Sequence, residues 1–103
     1  MICVVTHRRL KPGSWEQFRQ AWEPDNWWSS LDRAYHLRSV DDENEVLSFG
    51  FFEGTLDEFE RMRDTVEFMA GETRRLQRIA PFEESTRMGG VYEVFEEIDP
   101  RAA

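Results

Sequence analysis

The stretch Glu45-Val46-Leu47-Ser48-Phe49-Gly50-Phe51-Phe52-Glu53-Gly54-Thr55-Leu56-Asp57-Glu58-Phe59 decides how this chain is read. Its first half, Glu45 to Glu53, is rich in valine, leucine and phenylalanine, residues that suit a pleated, half-buried surface, and Gly54 closes it. Thr55 with Glu58 then spells a capping box, in which the threonine oxygen takes one orphan helix amide and the glutamate reaches back to another. A helix with Leu56, Phe59 and Met62 at i, i+3 and i+6 follows. Upstream, Arg33 to Val40 forms a second strand-like segment, joined to the first by the acidic turn Asp41-Asp42-Glu43-Asn44. The two segments read as a hairpin that runs directly into a helix.

Working outward, Ile2 to Leu10 clusters β-branched residues and is apolar on both faces in its front half, the mark of a central strand. Lys11-Pro12-Gly13 breaks it, and Ser14 with Gln17 spells a second capping box ahead of Trp15. Trp15, Phe18 and Trp22 at i, i+3 and i+7 make one apolar helix face, which Pro24, Asp25 and Asn26 terminate, leaving Trp27 and Trp28 in the exit loop. On the other side, Met69, Leu76 and Ile79 at i, i+7 and i+10 indicate a third helix, separated by a break near Asp64-Thr65 and ending at Pro81. Glu83 to Gly90 reads as a connector and Val91 to Ile98 as the last strand. Residues 1–98 then form one domain, with 99–103 a frayed tail.

The order βαββααβ is the split-βαβ plan of a ferredoxin-like α+β fold, a four-stranded antiparallel sheet with helices on one face only. The uncovered face calls for a second copy, so a homodimer is expected.

Composition narrows the class. A chain of 103 residues is one core's worth, and 40% hydrophobic and 14% aromatic residues are enough to fold it despite 33% charged ones. A formal charge of −8, from 21 acids against 13 bases, argues against nucleic acid or an anionic membrane as partner, since both need a basic footprint. Cys3 is the single cysteine, which rules out an internal disulfide and a four-cysteine metal site and fits a reducing compartment. The apolar run Ile2 to Val5 is too short for a signal segment and no stretch approaches a membrane span, so the expected setting is soluble and cytoplasmic.

The opening strand leading into Leu10-Lys11-Pro12-Gly13, the helix with Phe18, the hairpin and helix start from Phe51 to Phe59, and the later helix with Glu67-Phe68-Met69 together resemble the dimeric α/β-barrel superfamily, and within it the antibiotic-biosynthesis-monooxygenase-like domains. The resemblance covers nearly the whole chain and its motifs are structural, so it speaks to fold before activity. It implies that two sheets pack face to face in a dimer barrel, with a pocket between sheet and helices in each subunit. It also implies a cofactor-independent monooxygenase acting on a small aromatic or polyphenolic molecule. Heme-degrading members of the superfamily use an asparagine, a tryptophan and a ligating histidine at places that fall here on Thr6, Phe52 and Glu72. All three differ, and without the imidazole a heme iron loses its proximal ligand, so no cofactor and no metal are expected.

Strand parity separates the sheet faces, because residues directly opposite in an antiparallel pair share one. A two- or four-residue turn pairs Val40 with Glu45, which sets Tyr35 beside Gly50, Leu37 beside Ser48 and Arg33 beside Phe52 on a roomy face. His36, Leu47, Phe49 and Phe51 then form a bulky face assigned to the dimer, together with His7. A three- or five-residue turn reverses the assignment. On this parity the ligand-binding candidates are Thr6, Arg8, Trp27, Trp28, Ser48, Gly50 and Phe52, and the catalytic candidates are Glu72 and Tyr35.

Each candidate has an ordinary counterpart. The histidines titrate near neutrality, yet neither has an adjacent nucleophile or metal-ligand motif, which favours structural roles. Trp15 and Trp22 belong with the core, while one of the adjacent Trp27 and Trp28 serves a ligand. Arg8 either holds a carboxylate or phenolate or is a salt-bridged strand residue. Glu72 either acts as a base or pairs with a neighbour such as Arg75. Two function classes remain: an enzyme that desolvates and orients an aromatic substrate for oxygen, and a non-catalytic dimeric module that binds a small hydrophobic ligand.

Overall fold

The computed structural model describes residues 1–102, apart from the Met88 side chain. It has the order β1 (Ile2–Leu10), α1 (Trp15–Trp22), β2 (Leu31–Arg38), β3 (Glu45–Phe52), α2 (Leu56–Arg63), α3 (Val66–Ile79) and β4 (Glu83–Glu93). The strands form one antiparallel sheet in the order β2-β3-β1-β4, the ferredoxin-like arrangement expected from the order of elements. Even-numbered residues of β1 and β3 face the helices, with Ile2 opposite Phe52, Val4 opposite Gly50, Thr6 opposite Ser48 and Arg8 opposite Val46.

The core divides in two. Leu10, Phe18, Ala21, Val46 and Ile79 form one cluster, with Trp15 and Trp22 packed against it as the helix pattern implied. Ile2, Phe52 and Phe59 form the other, at the opposite end of β1 and β3. Between the clusters the inward positions are Thr6, Ser48 and Gly50, small or polar residues that leave the middle of the sheet thinly covered.

Local signals differ in how well they read. Thr55 and Glu58 make the complete capping box at α2, while the side chain of Ser14 makes no cap hydrogen bond. At that end of α1 the backbone turns instead through the Lys11 carbonyl, which accepts from the Ser14 N–H at 3.1 Å. In α3 the buried residues are Arg75 and Ile79, whereas Met69 and Leu76 are half exposed. The apolar spacing of Met69, Leu76 and Ile79 thus identified a helix but turned its buried face too far round.

The last strand is the largest difference. It begins at Glu83 and ends at Glu93, so the segment read as a connector is sheet and the segment from Val94 to Ile98 is not. Residues 83–88 are mostly polar because β4 is an edge strand, where hydrophobic alternation is weak. Pairing with β1 shifts register between Val5 and Thr6, where the extra residue is Gly89. A Cβ on Gly89 would stand 2.7 Å from Val5 Cγ1, and Gly90 has φ +111°, so this bulge needs both glycines. In the tail, Pro100–Ala102 forms a short 3-10 turn, and Ala103 lies outside the described residues.

Candidate functional site

The hairpin loop sets the site. The Ser39 N–H donates to the Glu45 carbonyl at 3.0 Å, which leaves five residues in the loop and pairs Tyr35 with Phe49, His36 with Ser48 and Leu37 with Leu47. This is the odd-length turn that reverses β2 parity. Tyr35, paired above with Gly50 and offered as a catalytic residue, instead lies on the open sheet face, 47% exposed and edge-on to Phe51. Leu37 and Arg33 move with it. His36 moves the other way, off the open face and in among α1, with the Trp22 ring 4.4 Å away and Trp15 and Phe18 close by. The β3 assignments are unaffected, because β3 parity follows from its own alternation and its pairing with β1.

The inward residues enclose a cavity of ≈ 180 Å³ between sheet and helices. Thr6, Arg8, Ser48, Gly50, Phe52 and Trp28 all line it, and α3 adds Glu72 and Arg75. Trp28 packs its ring on Phe52 and Phe68 at 5.9 and 5.5 Å. Trp27 does not reach this cavity: it is 52% exposed, packed on Trp22. Of the adjacent tryptophans, Trp28 is the one at the cavity.

The polar part of the wall is a set of buried pairs. Ser48 and Arg75 are buried, and Arg8 is only 3% exposed. Both Glu72 oxygens accept from Arg75, from Nε and Nη2 at 2.9 Å each, and Arg75 Nη1 donates to the Trp22 carbonyl at 3.2 Å. The Arg75 guanidinium also lies over the Trp22 and Trp28 rings. Glu72 thereby makes the bidentate pairing that competed with its role as base, with each of its oxygens accepting one N–H from Arg75.

His36 Nδ1 lies 2.8 Å from Ser48 Oγ, while its Nε2 is buried without a partner. Burial first, then the positive charges of Arg19, Arg8 and Arg75, lower its pKa to about 4, so the ring is neutral at neutral pH. Arg8 also stands in a desolvated place. It is ion-paired with Glu83, 3.3 Å from its Nε but off hydrogen-bond geometry, and among the described residues neither Nε nor Nη1 has an aligned hydrogen-bond acceptor. Burial, and then Arg75, lower the Arg8 pKa.

Sequence reasoning missed the His36–Ser48 contact, whereas the Arg75–Glu72 pair is one of the two alternatives it offered for Glu72. The Glu72–Arg75 spacing at i, i+3 was a usable signal for the second. For the first there was none short of the loop length. Among the described residues no three of histidine, cysteine, aspartate and glutamate come together as a metal site, and no helix is long and apolar enough to cross a membrane.

No protein-family profile and no curated protein matches the chain. Solved structures do. A candidate antibiotic biosynthesis monooxygenase from Nitrosomonas europaea superposes with a TM-score of 0.64 over 93% of this chain and 100% of that one, at 15% identity. A mutant form of SnoaB from Streptomyces nogalater, a cofactor-independent oxygenase, gives 0.66 over 94% and 95%, at 12% identity. The Agrobacterium tumefaciens protein Atu4242 gives 0.60 over 90% and 92%, at 22% identity. At these identities the likeness is one of backbone and not of site residues. The chain carries the ferredoxin-like α+β fold shared by antibiotic-biosynthesis-monooxygenase-like proteins.

Proposed function

We propose that this chain is a cytoplasmic, homodimeric, cofactor-independent monooxygenase-like protein acting on a small aromatic molecule held between sheet and helices. The observation that carries the reading is the cavity between the two core clusters, apolar at Phe52, Gly50 and Trp28 and polar at Thr6, Arg8 and Ser48. An electron-rich phenol placed there supplies all the electrons that reduce dioxygen. One oxygen atom enters the ring as a carbonyl, the other leaves as water, and the phenol becomes a quinone. The protein's part is to exclude water, hold the ring and keep the reacting carbon open to oxygen. The dimer is supported by the open face, where Tyr35 and Leu37 are each 47% exposed and Leu47 36%.

Oxygen-electrode measurements with hydroquinone and with larger polyphenols test the reading. Protein-dependent uptake of one dioxygen per ring-hydroxylated quinone formed, without release of hydrogen peroxide, is expected, and it should vanish in Gly50→Leu. Uptake no faster than in buffer would overturn catalysis. The second reading, a non-catalytic ligand-binding dimer, is favoured by two observations: Glu72 is ion-paired with Arg75, and Tyr35 lies on the other face. Ligand binding without oxygen uptake would select it.

A further inference from the structure

The proposed reading leaves the charge of the ligand open, and the cavity wall speaks to it. In a chain of net charge −8, the wall carries Arg8, Arg63 and Arg75 against a single carboxylate, Glu72. Glu72 is paired in bidentate fashion with Arg75, which balances that arginine's charge. Arg63 is exposed and lies over the Phe59 ring, at the rim. That leaves Arg8, only 3% exposed, whose guanidinium lies over the Phe18 ring and is ion-paired with Glu83 at 3.3 Å from Nε, off hydrogen-bond geometry, so that among the described residues neither Nε nor Nη1 has an aligned acceptor. A guanidinium stays charged even here, and a buried donor without an acceptor is costly, so the site is incomplete as it stands.

A second donor stands diagonally across the β1–β3 pair from it, where Ser48 faces Thr6, the residue next to Arg8 along the same face. His36 Nε2 is buried without an acceptor, so the ring proton belongs on Nδ1, where it has Ser48 Oγ to donate to. Ser48 Oγ then accepts from His36 and its own hydrogen is free for something in the cavity. The Arg8 guanidinium and the Ser48 hydroxyl both line the wall of this chamber, alongside its aromatic rings.

Resting on the monooxygenase-like reading of this pocket, we propose that its ligand is a single-ring aromatic anion, a carboxylate or phenolate, whose charged oxygens accept from Arg8 and Ser48. Size supports the single ring: a cavity of roughly 150 Å³ holds benzene, and this one measures ≈ 180 Å³. Gly50, Phe52 and Trp28 supply the walls for the ring. An anion there also brings the two buried arginines and the rim arginine to balance with Glu72, Glu83 and the ligand itself.

Calorimetric titration of the native protein with benzoate and with benzyl alcohol, of similar shape but no charge, tests this. Benzoate is expected to bind at least about tenfold more tightly, the effect of one charge-assisted hydrogen bond in a desolvated site. Arg8→Met should bring benzoate down to the level of benzyl alcohol, and Ser48→Ala should weaken benzoate severalfold and by more than it weakens benzyl alcohol. Equal binding of the two probes by the native protein overturns the anion assignment and leaves the aromatic pocket standing. Binding of neither overturns the pocket reading and this inference with it. Should Arg8→Met not fold, the native comparison and Ser48→Ala decide the matter alone.

Discussion

Replacing Gly50 by leucine puts the cavity itself to the test. A Cβ built at Gly50 lies 3.4 Å from Phe52 Cε2 and 3.7 Å from Leu31 Cδ1, ordinary contact distances, so the first carbon fits without displacement. The rest of the side chain enters a space of ≈ 180 Å³. At about 0.8 kcal/mol per buried methylene, the isobutyl group gains roughly 2–3 kcal/mol. Fixing its rotamers costs about 0.5–1 kcal/mol, and removing a glycine from a strand returns a similar amount. Lost solvation of Thr6 and Ser48 lowers the sum, so the net expectation is a change from none to about 1–2 kcal/mol of stabilisation. In a domain of this size that is a Tm unchanged or raised by up to about 10 °C. A close-packed interior would respond in the opposite direction, since overpacking costs about 1–3 kcal/mol. The assay is a thermal melt of both proteins at one concentration, with and without benzoate. At ten times its Kd a ligand adds about 1.4 kcal/mol to the native protein, and it should add nothing to the variant. A Tm more than about 4 °C below the native value, or an unchanged ligand shift in Gly50→Leu, would refute the argument.

Three other expectations follow from particular contacts. Light scattering should give twice the chain mass, and Leu47→Asp, which puts a charge on the exposed sheet face, should yield monomer; a native monomer at micromolar concentration would sink the dimer. Thr55→Ala should cost about 1 kcal/mol by removing the side-chain acceptor of the Glu58 N–H, whereas Ser14→Ala should be nearly neutral because that side chain caps nothing; equal losses in urea melts would contradict this. His36 has a folded pKa of about 4, below its ordinary 6.5, so the unfolded chain binds the extra proton first. Its contribution is therefore whole above pH 6.5 and is lost as the pH falls toward 4. Urea midpoints measured across that window should fall more steeply in the native protein than in His36→Gln, and parallel slopes would show that His36 is not buried neutral.

Much of the architecture lies in short-range pattern. The run from Glu45 to Phe59 carries a strand, a glycine stop and a capping box in local contact with one another, and all three stand in the structure as the sequence implies. The β3 faces are equally local, since alternation about Ser48 and Gly50 needs only a period of two. Ser48, Gly50 and Phe52 on β3, and by the same alternation Thr6 and Arg8 on β1, reach the cavity for that reason, while Trp28 reaches it from the loop after α1.

Other features are decided over longer distances. One residue in the loop between Ser39 and Glu45 exchanges Tyr35 for His36 on the helix side, and loop length is settled by how the backbone closes and not by the polarity of Asp41 to Asn44. On α3, what faces inward depends on what the sheet offers. Opposite the Arg8 region and Trp22 it accepts the aliphatic stem and stacked guanidinium of Arg75 in preference to Leu76. The edge strand β4 hides its polar first half because solvent on one side asks for no alternation, and Gly89 and Gly90 make sense only beside Val5. Sequence alone thus determined the order of elements, the helix ends at Thr55 and the β3 parity, all set by residues within a few positions of one another. The partners of His36, Arg8 and Arg75 were decided only by the tertiary structure, because they depend on register and on packing between elements far apart in the chain.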